Sequence, residues 1–196
     1  MAVRDDSGDW FLINASPDLP AQIRSCSDLH PATGTLRGTP LSGVFLTNAD
    51  LDHVLGLWTL REGEKLHIHA TRAVHGTLDE SLNVTAIMET FCGIAWHEPP
   101  ETDFAPVLRK NGERSSLLYR AIKLPGNPPL FARGKYPDGV HSVAYEVMDR
   151  NTGGRLPKQQ FKPNSHQISS HITELSIISI RKLGAFIYYS IISETA

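Results

Sequence analysis

Four polar side chains crowd the stretch Val44-Phe-Leu-Thr-Asn48-Ala-Asp50-Leu-Asp52-His53-Val-Leu-Gly-Leu57, all between Asn48 and His53. An apolar run delivers the chain to this cluster, and a second apolar run carries it away. Carboxylates and an imidazole packed so tightly are costly to bury unpaired. A divalent cation would offset the like charges of Asp50 and Asp52. Oxygen-rich ligation with one imidazole suits iron, manganese or zinc, and a carboxylate-rich set with open positions leans toward iron. The same residue types are also ordinary N-cap and turn formers. On residue types alone both readings stand.

The elements that must position this cluster follow from hydrophobic pattern and punctuation. Asp9-Trp-Phe-Leu-Ile-Asn14 reads as a buried strand. Ser16-Pro17 then opens a helix to about Ser25, with Pro17 at its first position and Pro20 closing the first turn. Residues 26–40 are loop, and Ser42 to Thr47 is a second strand. Leu55, Leu57, Trp58 and Leu60 predict a helix toward Gly63. Lys65-Leu-His-Ile-His-Ala70 alternates as a half-buried strand with His67 and His69 on one face. Thr71 to Asn83 reads as helix, with strands at Leu117–Lys123 and Ser142–Met148 around a Leu124–Pro129 loop. This order gives an α/β layered domain.

Composition narrows the function classes. The 196 residues carry 19 Lys+Arg against 21 Asp+Glu, a net charge of −2. That balance lacks the basic face a nucleic-acid binder needs. Cys26 and Cys92 form no C-x-x-C pair and support neither a disulfide framework nor a cysteine-rich zinc module. The N-terminal MAVRDDSGDW has no apolar signal core, so the expectation is a cytoplasmic protein with no membrane partner. The chemistry shifts near Arg155. Ile occurs 6 times in residues 1–155 and 8 times in 156–196, whereas Asp goes from 11 to none and Val from 9 to none. Residues 1–156 are therefore read as one domain. Residues 157–196 are either a small C-terminal subdomain or a foreign tail from a change of reading frame.

Other candidates rank lower. His67 and His69, on one strand face, could form a metal pair, but no acidic ligand follows closely, and the expectation is that they are not a site. His166 and His171 are five apart and fit no helical ligand pair. Trp96-His97-Glu98-Pro-Pro100 could line a pocket mouth, but is expected as a loop anchored by Trp96. Neither cysteine has an evident activating base. No nucleophile-elbow, P-loop or dinucleotide fingerprint occurs. The residues assign no catalytic acid or base.

Thr47-Asn-Ala-Asp-Leu-Asp-His53 has the spacing of the metallo-β-lactamase signature T-H-x-H-x-D-H, with Asn48 and Asp50 in place of its two leading histidines. Together with Leu12-Ile-Asn-Ala-Ser-Pro-Asp-Leu19, Arg37-Gly-Thr-Pro40 and Leu60-Arg-Glu-Gly63, this run resembles the coenzyme PQQ synthesis protein B family. Weaker similarity continues through Leu124–Pro129, Val143–Asp149 and Gly153-Gly-Arg-Leu156, so the resemblance covers roughly residues 9–156. It implies an αββα sandwich, present here as its first half and part of the return. It also implies Asp50, Asp52 and His53 as metal ligands, with Asn48 supporting them or lining the pocket.

The departures from the family bear on function. Its members are longer, open with a cysteine cluster holding a structural zinc that is absent here, and supply a further histidine from a second half. Pro20 stands where they usually carry arginine. The resemblance implies pyrroloquinoline quinone (PQQ) biosynthesis through iron (Fe2+)-dependent hydroxylation of the tyrosine in a glutamate–tyrosine precursor. Alternatives are a zinc hydrolase, a carrier taking PQQ or its precursor to the periplasm, or an inactive gene fragment. The expected partner is a small-molecule or dipeptide precursor, and an oligomer is compatible. Two structural expectations follow: Leu51 packs into the core, and the sheet face of Val44, Leu46 and Ile68 stands uncovered.

Overall fold

The computed structural model describes residues 1–31, 34, 39–61 and 65–153, with backbone strands at 177–179 and 187–188. Two sheets pack face to face, and helices cover the outer face of the first. The first sheet contains β1 (Ala2–Arg4), β2 (Trp10–Ile13), β3 (Leu41–Phe45), β4 (Leu66–His69), β5 (Ile94–His97) and β9 (Ile177–Ser179). Its order is β5-β4-β3-β2-β1-β9. Strands β2 to β5 are mutually parallel, and β1 returns antiparallel to β2. Parallel neighbours need long crossovers. These carry α1 (Leu19–Ser25), α2 (Leu51–Val54) with a 3-10 turn at Leu55–Leu60, then α3 (Arg72–Leu82) and α4 (Val84–Glu89). The second sheet is antiparallel, ordered β10-β8-β7-β6, from β6 (Ala105–Leu108), β7 (Arg114–Leu124), β8 (Ser142–Asp149) and β10 (Ile187–Tyr188).

Strand alternation splits the core in two. Leu12, Val44, Leu46 and Ile68 pack with Leu19, Leu57, Val74, Leu78 and Met88 on the helical side. Phe11, Ile13 and Phe45 face Leu117, Tyr119, Val143, Tyr145 and Val147 of the second sheet. The face of Val44, Leu46 and Ile68, expected to stand uncovered, is thus fully buried. The crossover helices lie over it, and β7 and β8 cover the opposite face. Arg109 ties the layers at one end, reaching Asp5 at 2.7 Å, Asp6 at 3.3 Å and Asp9 at 3.5 Å.

Several local expectations change. Helix α1 begins at Leu19 with Asp18 as N-cap, two residues later than Pro17 implied. Pro20 falls in the opening turn, where its missing N–H forfeits no intrahelical bond. Helical backbone after β3 starts at Leu51, so Asp52 and His53 sit on a helical turn. Trp96 and His97 belong to β5 and not to a loop; the Trp96 indole donates to the Thr85 hydroxyl at 2.6 Å. Strand β4 is buried throughout, where alternation suggested one solvated face. The Thr71 expectation holds: its hydroxyl accepts from the Val74 amide at 3.2 Å, and α3 ends at a left-handed Asn83.

Among the described residues no helix is long and apolar enough to cross a membrane. The resemblance segments at Arg37–Gly38, Glu62–Gly63 and Gly154–Leu156 lie outside the described residues. So do His166, His171 and the compositional boundary at 156.

Candidate metal centre

The cluster sits where β3 emerges from the parallel sheet, and backbone geometry there is tightly held. Asn14, at a left-handed φ of 61°, accepts from the Thr47 amide at 2.9 Å and donates to the Thr47 hydroxyl at 2.9 Å. The Ala15 amide donates to the His53 carbonyl at 2.7 Å, and the Gly56 amide to the Ala15 carbonyl at 2.8 Å. A Cβ at Gly56 would collide with the Ser16 carbonyl, so only glycine allows this approach. From the second sheet, the Val143 amide donates to the Thr47 carbonyl at 2.9 Å. The loop carrying these candidate ligands is therefore anchored on three sides.

Asp50, Asp52 and His53 each offer one ligand atom, all within 4.8 Å of one another. Asn48 organises them. Its Oδ1 accepts from His53 Nδ1 at 2.6 Å and from the Asp50 amide at 3.2 Å. Its Nδ2 donates to Asp50 Oδ2 at 2.8 Å. An amide oxygen can only accept, so His53 Nδ1 carries the proton and Nε2 presents its lone pair in the neutral ring. That nitrogen lies 3.7 Å from Asp52 Oδ2. Burial raises the Asp50 pKa, with His53 opposing and Asp52 adding to the rise. A partly desolvated carboxylate beside a like charge and an oriented imidazole lone pair fit a divalent cation. Leu51 is 42% exposed, contrary to the core position expected of it. The helical turn directs it and Leu55 outward while Val54 and Leu57 pack inward.

A second histidine cluster lies between the sheets and was missed in the sequence. His67 and His69 are buried, 6% and 1% exposed. His67 Nδ1 and His97 Nε2 are 2.8 Å apart with nearly coplanar rings, a hydrogen bond in which one ring donates and the other accepts. His69 stacks on Phe45 at 4.5 Å and its Nδ1 meets the Tyr119 hydroxyl at 2.8 Å. Burial lowers the pKa of all three imidazoles, and their mutual repulsion lowers those of His67 and His69 further. The detectable signal was Gly93-Ile-Ala-Trp-His97, an apolar run after a turn glycine; its register beside β4 was not legible.

The Beta-lactamase superfamily domain profile matches residues 9–137. Coenzyme PQQ synthesis protein B of Rhodopseudomonas palustris strain TIE-1 is 36% identical over 163 residues, spanning 80% of this chain and 52% of that protein. The counterpart from strain BisB5 is 39% identical over 160 residues, spanning 78% and 51%. That of Ruegeria pomeroyi is 32% identical over 176 residues, spanning 86% and 56%. Among solved structures, Zn(2+)-bound PqqB from Methylobacterium extorquens superposes with a TM-score of 0.60 at 27% identity, covering 78% of this chain and 49% of that one. The chain spans about half the length of the curated relatives it matches.

Proposed function

The chain belongs to the β-lactamase superfamily, with coenzyme PQQ synthesis protein B as its named relatives, and from that premise we propose that it holds a divalent metal on Asp50, Asp52 and His53 and acts in PQQ biosynthesis. The observation that carries this reading is the Asn48 bridge, which fixes the His53 tautomer and the Asp50 rotamer together. The proposed reaction is hydroxylation of the tyrosine ring in a glutamate–tyrosine precursor by dioxygen, with iron as the working metal; one oxygen atom enters the ring and the other leaves as water, with two electrons and two protons from an external two-electron reductant. A bound iron would supply redox chemistry with dioxygen at positions the three side chains leave open.

The chain's own residues prepare that site. Asp50 and Asp52 supply the negative charge that selects a cation, and His53 supplies one borderline nitrogen. Asn48 keeps both ligands from rotating away. The exposed Leu51 and Leu55 flank the ligands and give the surroundings apolar character. Zinc is the second reading, favoured by the Zn(2+)-bound state of the M. extorquens relative.

Metal content tests this directly. Asp52→Asn with His53→Ala is expected to abolish bound iron or zinc while far-UV circular dichroism stays unchanged. Asn48→Ala should weaken metal affinity by about 10–100-fold, the usual effect of losing a ligand's hydrogen-bonding partner. Unchanged stoichiometry in the double variant would overturn the assignment. Dioxygen consumption dependent on a glutamate–tyrosine dipeptide supports the hydroxylase, and activity with zinc alone supports the hydrolytic reading.

A further inference from the structure

A cavity of about 400 Å³ opens between the start of α3, the residues after β5 and the segment 136–140 that leads into β8. Thr71 follows β4 and Glu98 follows β5, so the opening lies outside the carboxyl ends of parallel strands. This is where open α/β sheets bind ligands. It shares no lining residue with the Asn48–His53 cluster. Its volume falls within the roughly 300–1,000 Å³ of small-molecule sites.

The lining has two characters. Ala73, Ala121, Val140 and Val143 give an apolar surface, three of them buried. Arg72, Glu98 and Asp138 are exposed charged groups on the same cavity, with no ion pair or hydrogen bond of their side chains among the described residues. Lys123 and Glu101, by contrast, are paired at 2.8 Å. Three carboxylates against two cations disfavour a net anion, while a simple cation would leave Arg72 without a role. One wall is also built under strain. Tyr136 adopts a left-handed φ of 51°, its ring lies where any side chain at Gly76 would stand, and its hydroxyl donates to Glu80 at 2.5 Å. Non-glycine residues held there cluster at ligand sites.

We propose that this cavity binds a small zwitterion with an apolar body, its carboxylate held by Arg72 and its ammonium by Glu98 and Asp138. The charges of one ligand would then satisfy groups of opposite sign that do not satisfy each other. Its body would cover Val140 and Val143. The shared chemistry belongs equally to a free amino acid and to a short peptide.

NMR titration of the 196-residue chain, read at Ala73, Val140 and Val143, tests the assignment with leucine, leucinamide, N-acetyl-leucine and glycyl-leucine. Leucine should bind saturably, and each blocked form should bind about tenfold more weakly for its lost charge-assisted bond. Arg72→Gln should weaken leucine but not leucinamide. Glu98→Gln with Asp138→Asn should weaken leucine but not N-acetyl-leucine. These residues are exposed, so the variants are expected to fold. Asp52→Asn with His53→Ala should leave leucine binding unchanged, which separates this site from the metal centre. Tighter binding of glycyl-leucine assigns the site to a peptide, and tighter binding of leucine to a free amino acid. Equal binding of charged and blocked forms, or no shifts at the three reporter residues, would overturn the proposal.

Discussion

Two regions of this chain are rich in imidazole and opposite in character. In the loop after β3, His53 stands beside two carboxylates, is held by Asn48 through one nitrogen and presents the other. Between the sheets, His67 and His97 spend their facing nitrogens on each other, and His69 is stacked on Phe45 beneath Tyr119. The loop leaves ligand capacity in reach of solvent; the inter-sheet cluster consumes most of its capacity in packing. The orphan His69 Nε2, buried without a partner among the described residues, is a cost carried by that packing. The contrast shows that the availability of an imidazole to a cation is set by what holds its other nitrogen and by access, and not by its presence in a cluster.

Truncating the ring beneath the inter-sheet cluster should have the largest effect. Phe45 is 1% exposed and contacts His69, Tyr119 and Tyr145. Phe45→Ala should cost about 3–5 kcal/mol in urea unfolding. A loss below about 1 kcal/mol would show that the second sheet does not seal this face.

Acid should separate the two regions next. His67, His69 and His97 have folded pKa values below the ordinary 6.5, so the unfolded chain binds their protons more readily. The stability they permit is complete above pH 6.5 and is lost as pH falls from there toward their folded values. Each such group steepens the loss by up to about 1.4 kcal/mol per pH unit. His69→Gln should flatten the acid limb of unfolding free energy measured between pH 7 and 5. An unchanged slope would place the acid sensitivity elsewhere.

The smallest effect is expected at Leu51. It is 42% exposed beside the candidate ligands, so Leu51→Ala should change stability by no more than about 0.5 kcal/mol. A cost of core size would mean that the helical turn faces inward and that the ligand geometry differs from the one described.

How much was legible follows from what each feature depends on. Asn48, Asp50, Asp52 and His53 are near neighbours in sequence, so a strand running into a helical turn brings them together under almost any tertiary arrangement. The helix read from Thr71 to Asn83 is equally local. The direction of Leu51 was not, because moving the helix start from Leu55 to Leu51 re-aims every side chain on that turn. In β4 the i, i+2 spacing correctly put His67 and His69 on one face. Spacing does not say what covers that face. Lys65-Leu-His-Ile-His-Ala70 imitates a half-solvated strand because imidazole is polar in pattern yet can be buried once paired.

The sequence by itself therefore determined the metal-ligand candidates, the α/β class and the family resemblance, all of which rest on residues close along the chain. Only the tertiary structure decided that β5 lies beside β4, placing His97 against His67, and that β7 and β8 close over Phe45 and His69. It also brought Arg72, Glu98 and Asp138 to one cavity. Those placements depend on strand register and sheet packing across tens of residues, where the free energy comes from burying whole faces and carries no local signature.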